Sequence, residues 1–173
     1  MHTDATYIFY GECISNTVDT DQTTGLEVTY TTFSILEAIK GKLDQTHTIK
    51  QVGSHQPGGT TSGIIFPGVP RFEEGTKYIL FLPPASHIGF SSPVGLGQGV
   101  FSVDADDAGN DVVSNGRDFT ELLKNVPPDK VQPHVIYRLK SLRDQDIPTY
   151  AKSRAQLPLD DFLSILQSMK IKP

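Results

Sequence analysis

Val28-Thr-Tyr-Thr-Thr-Phe-Ser-Ile-Leu-Glu-Ala-Ile-Lys-Gly41 decides the fold. Val28, Tyr30 and Thr32 fall on one face of an extended chain, and Thr31, Phe33 and Ile35 fall on the other. β-branched and aromatic residues at period two are the chemistry of a pleated strand. Alternation breaks between Leu36 and Ile39, which predicts a bulge or bend before Lys40-Gly41 turns the chain. A helix over Ser34 to Ile39 is the competing reading, weakened by the missing cap and the preceding β-branched run.

Two further stretches carry the same chemistry: Arg71-Phe-Glu-Glu-Gly-Thr-Lys-Tyr-Ile-Leu-Phe-Leu82 and Val94-Gly-Leu-Gly-Gln-Gly-Val-Phe-Ser-Val103. The first is a turn leading into an unbroken apolar run, the strand expected at the centre of the sheet, stopped by Pro83-Pro84. Residues 6 to 15 predict an earlier strand in which Gly11 marks a bulge or a close backbone approach. Residues 16 to 25 read as a polar loop, and Thr46 to Val52 as another strand. Gln56-Pro-Gly-Gly-Thr-Thr-Ser-Gly63 reads as a loop, because proline removes a donor and paired glycines favour turns. Ile64-Ile-Phe66 is expected to be a short strand. Gly99 to Val103 and Asp111 to Ser114 read as hairpin arms around Asp104 to Asn110.

Helices are confined to the second half. Asp118-Phe-Thr-Glu121 is a capping box that opens a short helix over 118 to 126, ended by Pro127-Pro128. Residues 127 to 134 are a Pro-rich linker, and Val135 to Leu142 has helical spacing. Leu159, Phe162, Leu163, Leu166 and Met169 share one face of a helix over 158 to 169, with Asp160 and Asp161 where the helix dipole favours negative charge. The expectation is a mostly β domain over 1-126, a small barrel, with a linker and helical extension over 127-173 packed on it.

Composition narrows the function classes. Residues 1 to 129 hold 7 Lys/Arg against 16 Asp/Glu, a balance of -9, and residues 130 to 173 hold 8 against 4, a balance of +4. An acidic body argues against nucleic-acid binding, which needs concentrated cations. Cys13 is the single cysteine, which excludes an internal disulfide framework and a Cys-rich metal site. Its apolar neighbours predict a buried small hydrophobe. No apolar run approaches the roughly 18 residues of a transmembrane span. The short polar lead fits a cytoplasmic protein or a mature chain whose export signal has been removed.

Candidate chemistry is sparse. The Asp104 to Asp111 loop offers hard oxygens for calcium, but Ala108 stands where a ligand is wanted and Asn115 where the bidentate Glu belongs, so a solvated hairpin turn is expected. Histidines 2, 47, 55, 87 and 134 show no zinc spacing. Gly-x-Ser-x-Gly is absent, and Gly95-Leu-Gly97-Gln-Gly99 lacks the Lys-Ser/Thr and helix of a phosphate loop. No catalytic, cofactor or metal residues are assigned. Loops 53 to 63 and 84 to 95 are the expected binding surface, with His55, Gln56, Gly58, Gly59, His87 and Phe90 as contact residues, joined by the basic C-terminal region.

Phe33-Ser-Ile-Leu-Glu-Ala-Ile-Lys-Gly41, followed after a Gly-rich loop by Gly75-Thr-Lys-Tyr-Ile-Leu-Phe-Leu82, resembles the strand pattern of netrin-like modules. These include the tissue inhibitors of metalloproteinases, and the resemblance implies a five-stranded OB-type barrel with flanking helices. Gly97-Gln-Gly99-Val-Phe101, the Asp/Gly turn and the final helix are similar to exported bacterial proteins of uncharacterised activity that carry such a barrel. The likeness spans roughly residues 6 to 126. Those inhibitors present an N-terminal Cys to the target zinc, whereas this chain begins Met1-His2-Thr3, so inhibition does not carry over. The resemblance implies a secreted bacterial binding or effector protein, extracellular or periplasmic, a candidate substrate of type II secretion, with a protein or other extracellular ligand and no cofactor. Two alternatives stand beside it: an enzyme assembled from distant groups such as His55, His87 and Asp106, and a protease-inhibitor-like module.

Overall fold

The computed structural model describes residues 4–54, 65–115 and 156–169. The chain divides into two compact units, residues 3–100 and 101–173. The expected elements over 118 to 126, 127 to 134 and 135 to 142 lie outside the described residues. The described part is mostly β, with antiparallel strands and a C-terminal helix. Its sheet is not closed, so the barrel expected from the resemblance is an open sheet.

In the first unit the strands are β1 (Tyr7–Thr20), β2 (Glu27–Lys40), β3 (Thr46–Val52) and β4 (Lys77–Leu82), in the order β3-β2-β1-β4. β2 is extended throughout, which settles Ser34 to Ile39 as strand. The anticipated bend is present. Against β1, register shifts leave Leu36 and Ile39 of β2 without direct partners, and Ile14 of β1 is the extra residue between Cys13 and Ser15. Gly11 marks a close approach, since a Cβ there would stand 2.7 Å from the Ser34 carbonyl oxygen.

β1 is longer than its apolar pattern suggests. Residues 16 to 20, read as loop, pair with β2 from Glu27 to Thr31. Polar residues on both faces hide such a ribbon from any hydrophobic period; backbone pairing and the turn fix it. Asp21 closes that turn: its carbonyl accepts from Gly25 N–H at 2.7 Å, and its carboxylate accepts from the Thr24 hydroxyl at 2.7 Å. Ile65 and Phe66 are not a strand, because Pro67-Gly68 turns the chain, with Val69 N–H donating to the Phe66 carbonyl.

Phe9, Cys13, Phe33, Ile49, Phe72, Tyr78, Leu80 and Leu82 form the core of this unit. Phe72 stands edge-on to Phe33 and to Tyr78, both at 5.1 Å between ring centroids. Edge-to-face pairs of this kind contribute about 1 kcal/mol each beyond the area they bury. Cys13 is fully buried and its thiol is pushed up to about 11, first by desolvation, so it behaves as the inert hydrophobe expected. His47 of β3 is half-buried between the rings of Tyr7 and Phe9, at 5.6 and 5.8 Å.

The second unit carries β5 (Val100–Ala105), which begins at the boundary residue, β6 (Asp111–Ser114), β7 (Leu157–Pro158) and α1 (Leu159–Met169). β5 and β6 are the expected hairpin, and β7 pairs with the far side of β6 through Val113↔Leu157 and Val112↔Pro158. The helix forms where expected, but its buried face is turned from the expected one: Asp161, Phe162, Ile165 and Leu166 are buried while Leu159, Leu163 and Met169 are half-buried, and the Phe162 ring lies 4.9 Å from that of Phe101. In the first unit, a 3-10 turn at Leu96–Gly99 precedes β5, within the Val94 to Val103 stretch read as strand chemistry.

Burial lowers the His47 pKa below its ordinary value, so the fold favours the neutral ring. In that case the unfolded chain binds the proton more tightly. The stabilisation is complete above the unfolded pKa of about 6.5 and is lost as pH falls through it toward the folded value. Urea midpoints measured from pH 7 down to pH 5 are expected to fall, and His47→Gln is expected to flatten the curve. An equal slope in the variant contradicts the assignment to His47.

Candidate functional site

The end of β3 and the segment from 65 to 72 leave a small cleft between them in the first unit, with a volume of about 20 Å³. Its floor is polar. Thr29 and Thr31 of β2, Gln51 of β3 and Ser54 just beyond it face the cleft and are all buried. Its walls are apolar, formed by Val52, Val69, Pro70 and Phe72, and Ile65, Phe66 and Arg71 stand exposed at its margin.

Local sequence explains the shape. β3 ends where Gly53 adopts φ 96, a conformation that an L side chain rarely takes, and Gly53 N–H donates to the Glu27 carbonyl at 2.8 Å. This turn sets Ser54 at the floor. The opposite wall is tied to the sheet by Asn16, whose Nδ2 donates to the Phe72 carbonyl at 2.9 Å and whose Oδ1 accepts from the Thr31 hydroxyl at 2.7 Å. Asn16 N–H also donates to the Glu74 carboxylate at 2.7 Å, and Glu73 N–H donates to the Tyr78 hydroxyl at 3.0 Å. The wall that carries Phe72 is therefore fixed at both its ring and its backbone.

The floor's polar atoms divide into two groups. Thr29 Oγ1 donates to the Gly53 carbonyl at 2.7 Å, and Thr31 is engaged by Asn16. Gln51 Nε2 and Ser54 Oγ have no hydrogen-bond partner, although Gln51 is 4% exposed and Ser54 9%. A buried polar group left unpaired costs about 1–3 kcal/mol, and native folds hold few of them. Here both belong to residues that line the one cleft.

Beside the cleft, Leu96 takes φ 56 and is 45% exposed, an unusual backbone for a branched apolar residue. Its Cδ1 lies 3.2 Å from where a Cβ on Gly68 would stand, so it leans on the turn that presents Phe66. Ile65, Phe66 and Leu96 give this side of the unit an apolar margin.

The residues singled out from sequence are placed differently. His55, Gln56, Gly58 and Gly59 lie outside the described residues. His87 is exposed on a turn closed by Gly89 N–H donating to the Ser86 carbonyl. Phe90 is turned toward β3: Lys50 Nζ sits 4.5 Å from its ring centroid and 2.6 Å from Asp21 Oδ2. The Lys50 hydrogen bond, followed by that of Thr24, holds the Asp21 carboxyl below its usual range. With Ser91 N–H donating to the Lys50 carbonyl at 2.9 Å, this loop is fastened to the sheet.

In the second unit Asp106 accepts from the backbone N–H groups of Ala108 and Asn110 and from Asn110 Nδ2. Those bonds, led by the Asn110 backbone, lower its pKa; the carboxylate organises its own turn. Among the described residues no three His, Cys, Asp or Glu side chains gather in a metal-binding group. No described helix is long and apolar enough to cross a membrane.

Gln51 reads in the sequence as an ordinary strand residue, and Ser54 falls in the expected binding loop 53 to 63 without being singled out; the two meet only because the 65 to 72 segment lines the same cleft. Comparison of the chain with protein families, curated proteins and solved structures finds no match.

Two substitutions separate a bonded hydroxyl from an unbonded one. Thr29→Val is expected to cost about 1 kcal/mol, because it strips the Gly53 carbonyl of its partner. Ser54→Ala is expected to leave stability unchanged or raise it by up to about 1 kcal/mol, because it removes a desolvated group that bonds to nothing. Chemical denaturation reads both. A loss in Ser54→Ala as large as that in Thr29→Val contradicts the unpaired hydroxyl.

Proposed function

We propose that this chain is a non-catalytic binding protein whose ligand site is the cleft between β3 and residues 65 to 72. The supporting observation is the pair of unpartnered polar atoms, Gln51 Nε2 and Ser54 Oγ, on the floor of an apolar cleft. Small-molecule sites have this composition: apolar walls for affinity, and a few converging polar groups that orient the ligand. Its space of about 20 Å³ has room for about one water, so it would take the tip of a ligand group and not a whole small molecule. Fixed walls suit recognition, because little ordering entropy remains to be lost on binding.

This reading keeps the binding-protein class expected from sequence and moves its surface. The cleft replaces His87 and Phe90 as the contact region, since one is a solvated turn residue and the other packs with Lys50. A bacterial, extracellular or periplasmic working place belongs to the same proposal and is supported by the netrin-like strand pattern alone. The enzyme alternative draws no support from Asp106, whose oxygens are engaged within its own turn, or from His87, which is exposed.

Titration of the isotope-labelled chain with small neutral probes, cyclohexanone and phenylacetamide, tests the site. Saturable amide shifts are expected at Gln51 to Ser54 and Val69 to Phe72. Shifts scattered over the surface that never saturate contradict the cleft as a binding site.

A further inference from the structure

β3 is the outer strand of the first unit's sheet, and its free edge has a definite hydrogen-bonding pattern. In an antiparallel ladder the N–H and C=O of one residue point to the same side, and the side alternates along the strand. Ile35 N–H donates to the Gln45 carbonyl and Gly53 N–H to the Glu27 carbonyl, which turns the odd-numbered residues of β3 toward β2. Thr46, Thr48 and Lys50 therefore turn their backbone groups outward, and Ser91 N–H meets the Lys50 carbonyl there at 2.9 Å. One rung of an added strand is already in place. Thr46 and Thr48 are exposed, and among the described residues nothing bonds to their outward N–H and C=O groups.

Sheets usually protect such an edge with charged side chains, proline or a bulge. From Thr46 to Ile49 there is no Lys, Arg, Asp, Glu or proline, and the register with β2 is unbroken. The open stretch is short, because Ser91 holds the Lys50 carbonyl at one end and Gln45 bends the chain toward β2 at the other. An equally short strand fits it, and the same stretch of a second copy is one. Laid antiparallel with His47 opposite its counterpart, Thr46 of each copy faces Thr48 of the other. Every free N–H and C=O on both edges is then paired, and the Ser91 bond is undisturbed. Placing Thr48 opposite Thr48 would instead direct Thr46 N–H at the Lys50 carbonyl that Ser91 already holds. The His47 register also sets exposed Asp44 of one copy against Lys50 of the other and leaves no like charges opposite one another. Threonines pair well across strands, as Thr32 and Thr48 do within the sheet at 2.9 Å between hydroxyl oxygens.

We infer that the edge of β3 is a self-association surface: two copies of this chain pair antiparallel through Thr46 to Thr48, about a twofold axis at His47. Twofold pairing is closed, so it yields a dimer and no filament. The stretch makes few bonds, so the dimer is weak and forms with rising concentration. Neither Thr46 nor Thr48 lines the cleft, and the inference stands apart from the reading of that site.

The full chain is followed by analytical ultracentrifugation from about 10 μM to about 1 mM, a range that captures weak association, and the isotope-labelled chain by its amide shifts over the same range. The mass is expected to rise toward that of a dimer, with concentration-dependent shifts confined to residues 45 to 50 and Ser91. Thr48→Pro removes an outward donor that β2 does not use, so it is expected to keep a folded spectrum and to weaken association at least about tenfold. Thr46→Lys combined with Thr48→Lys, at two exposed positions, is expected to give the same loss through like charges if proline disturbs the strand. Thr46→Lys combined with Thr48→Glu sets opposite charges across the pair and is expected to associate at least as tightly as the parent chain. Weaker association of that last variant overturns the pairing of Thr46 with Thr48. A chain that stays monomeric throughout, a dimer without shifts at Thr46 to Ile49, or an association untouched by the proline and double-lysine variants overturns the inference. So does a monomer that takes up an extended Thr/Val peptide at the same amides.

Discussion

Phe72 stands edge-on to Phe33 and to Tyr78, and the first unit of the chain is organised around that contact. Phe33 lies on β2 and Tyr78 on β4, so a single ring from the irregular segment before β4 is held against two strands of the sheet. Burial of a side chain this size supplies roughly 2–3 kcal/mol, and the edge-to-face geometry adds to it. Once the ring is seated, its backbone has few choices. Asn16 takes the Phe72 carbonyl and Tyr78 the Glu73 N–H, so residues 65 to 72 must pass over the end of β3 at a fixed height. The cleft is the gap left by that passage.

The other side of β3 is fastened by a different device. Lys50 joins Asp21 from the β1-β2 turn to the ring of Phe90 from the loop after β4, and its carbonyl accepts from Ser91. A cation that would be costly to bury alone is stabilised by one carboxylate and one aromatic face. Two segments far apart in sequence are thereby held to one strand. Between these two fastenings Gln51, the residue after Lys50, is directed the opposite way into the cleft, as the alternation of a strand requires. The unpartnered polar atoms thus sit beside the polar atoms that carry structure, and only their hydrogen-bond partners tell them apart.

Much of the fold was legible because it rests on local chemistry. The apolar period of β2, the glycine at position 11 and the amphipathic pattern of α1 each state a local demand that the structure meets, and the bend at Leu36 to Ile39 appears as register shifts. The polar extension of β1 was hidden, because Asn16 to Thr20 has no buried face to signal a strand. Closure of the sheet could not be read from strands alone, since it depends on which edges meet. The site was least legible. Gln51 and Ser54 differ from any other polar residue only in lacking partners, a property that arises when distant segments cross. His87 and Phe90 drew attention through residue type and loop position, whereas the contacts of Lys50 decide what Phe90 does.

The reading of the cleft as a binding site stands on Gln51 Nε2 and Ser54 Oγ having no partner in the protein. A high-resolution crystal structure of the chain, with neutral sites around both atoms refined for bound solvent and small molecules, tests it most directly. The account predicts that neither atom bonds to protein and that an ordered occupant, water or an acceptor-bearing molecule, lies within hydrogen-bond distance of both. A Gln51 amide or Ser54 hydroxyl satisfied by the protein's own carbonyls would contradict it.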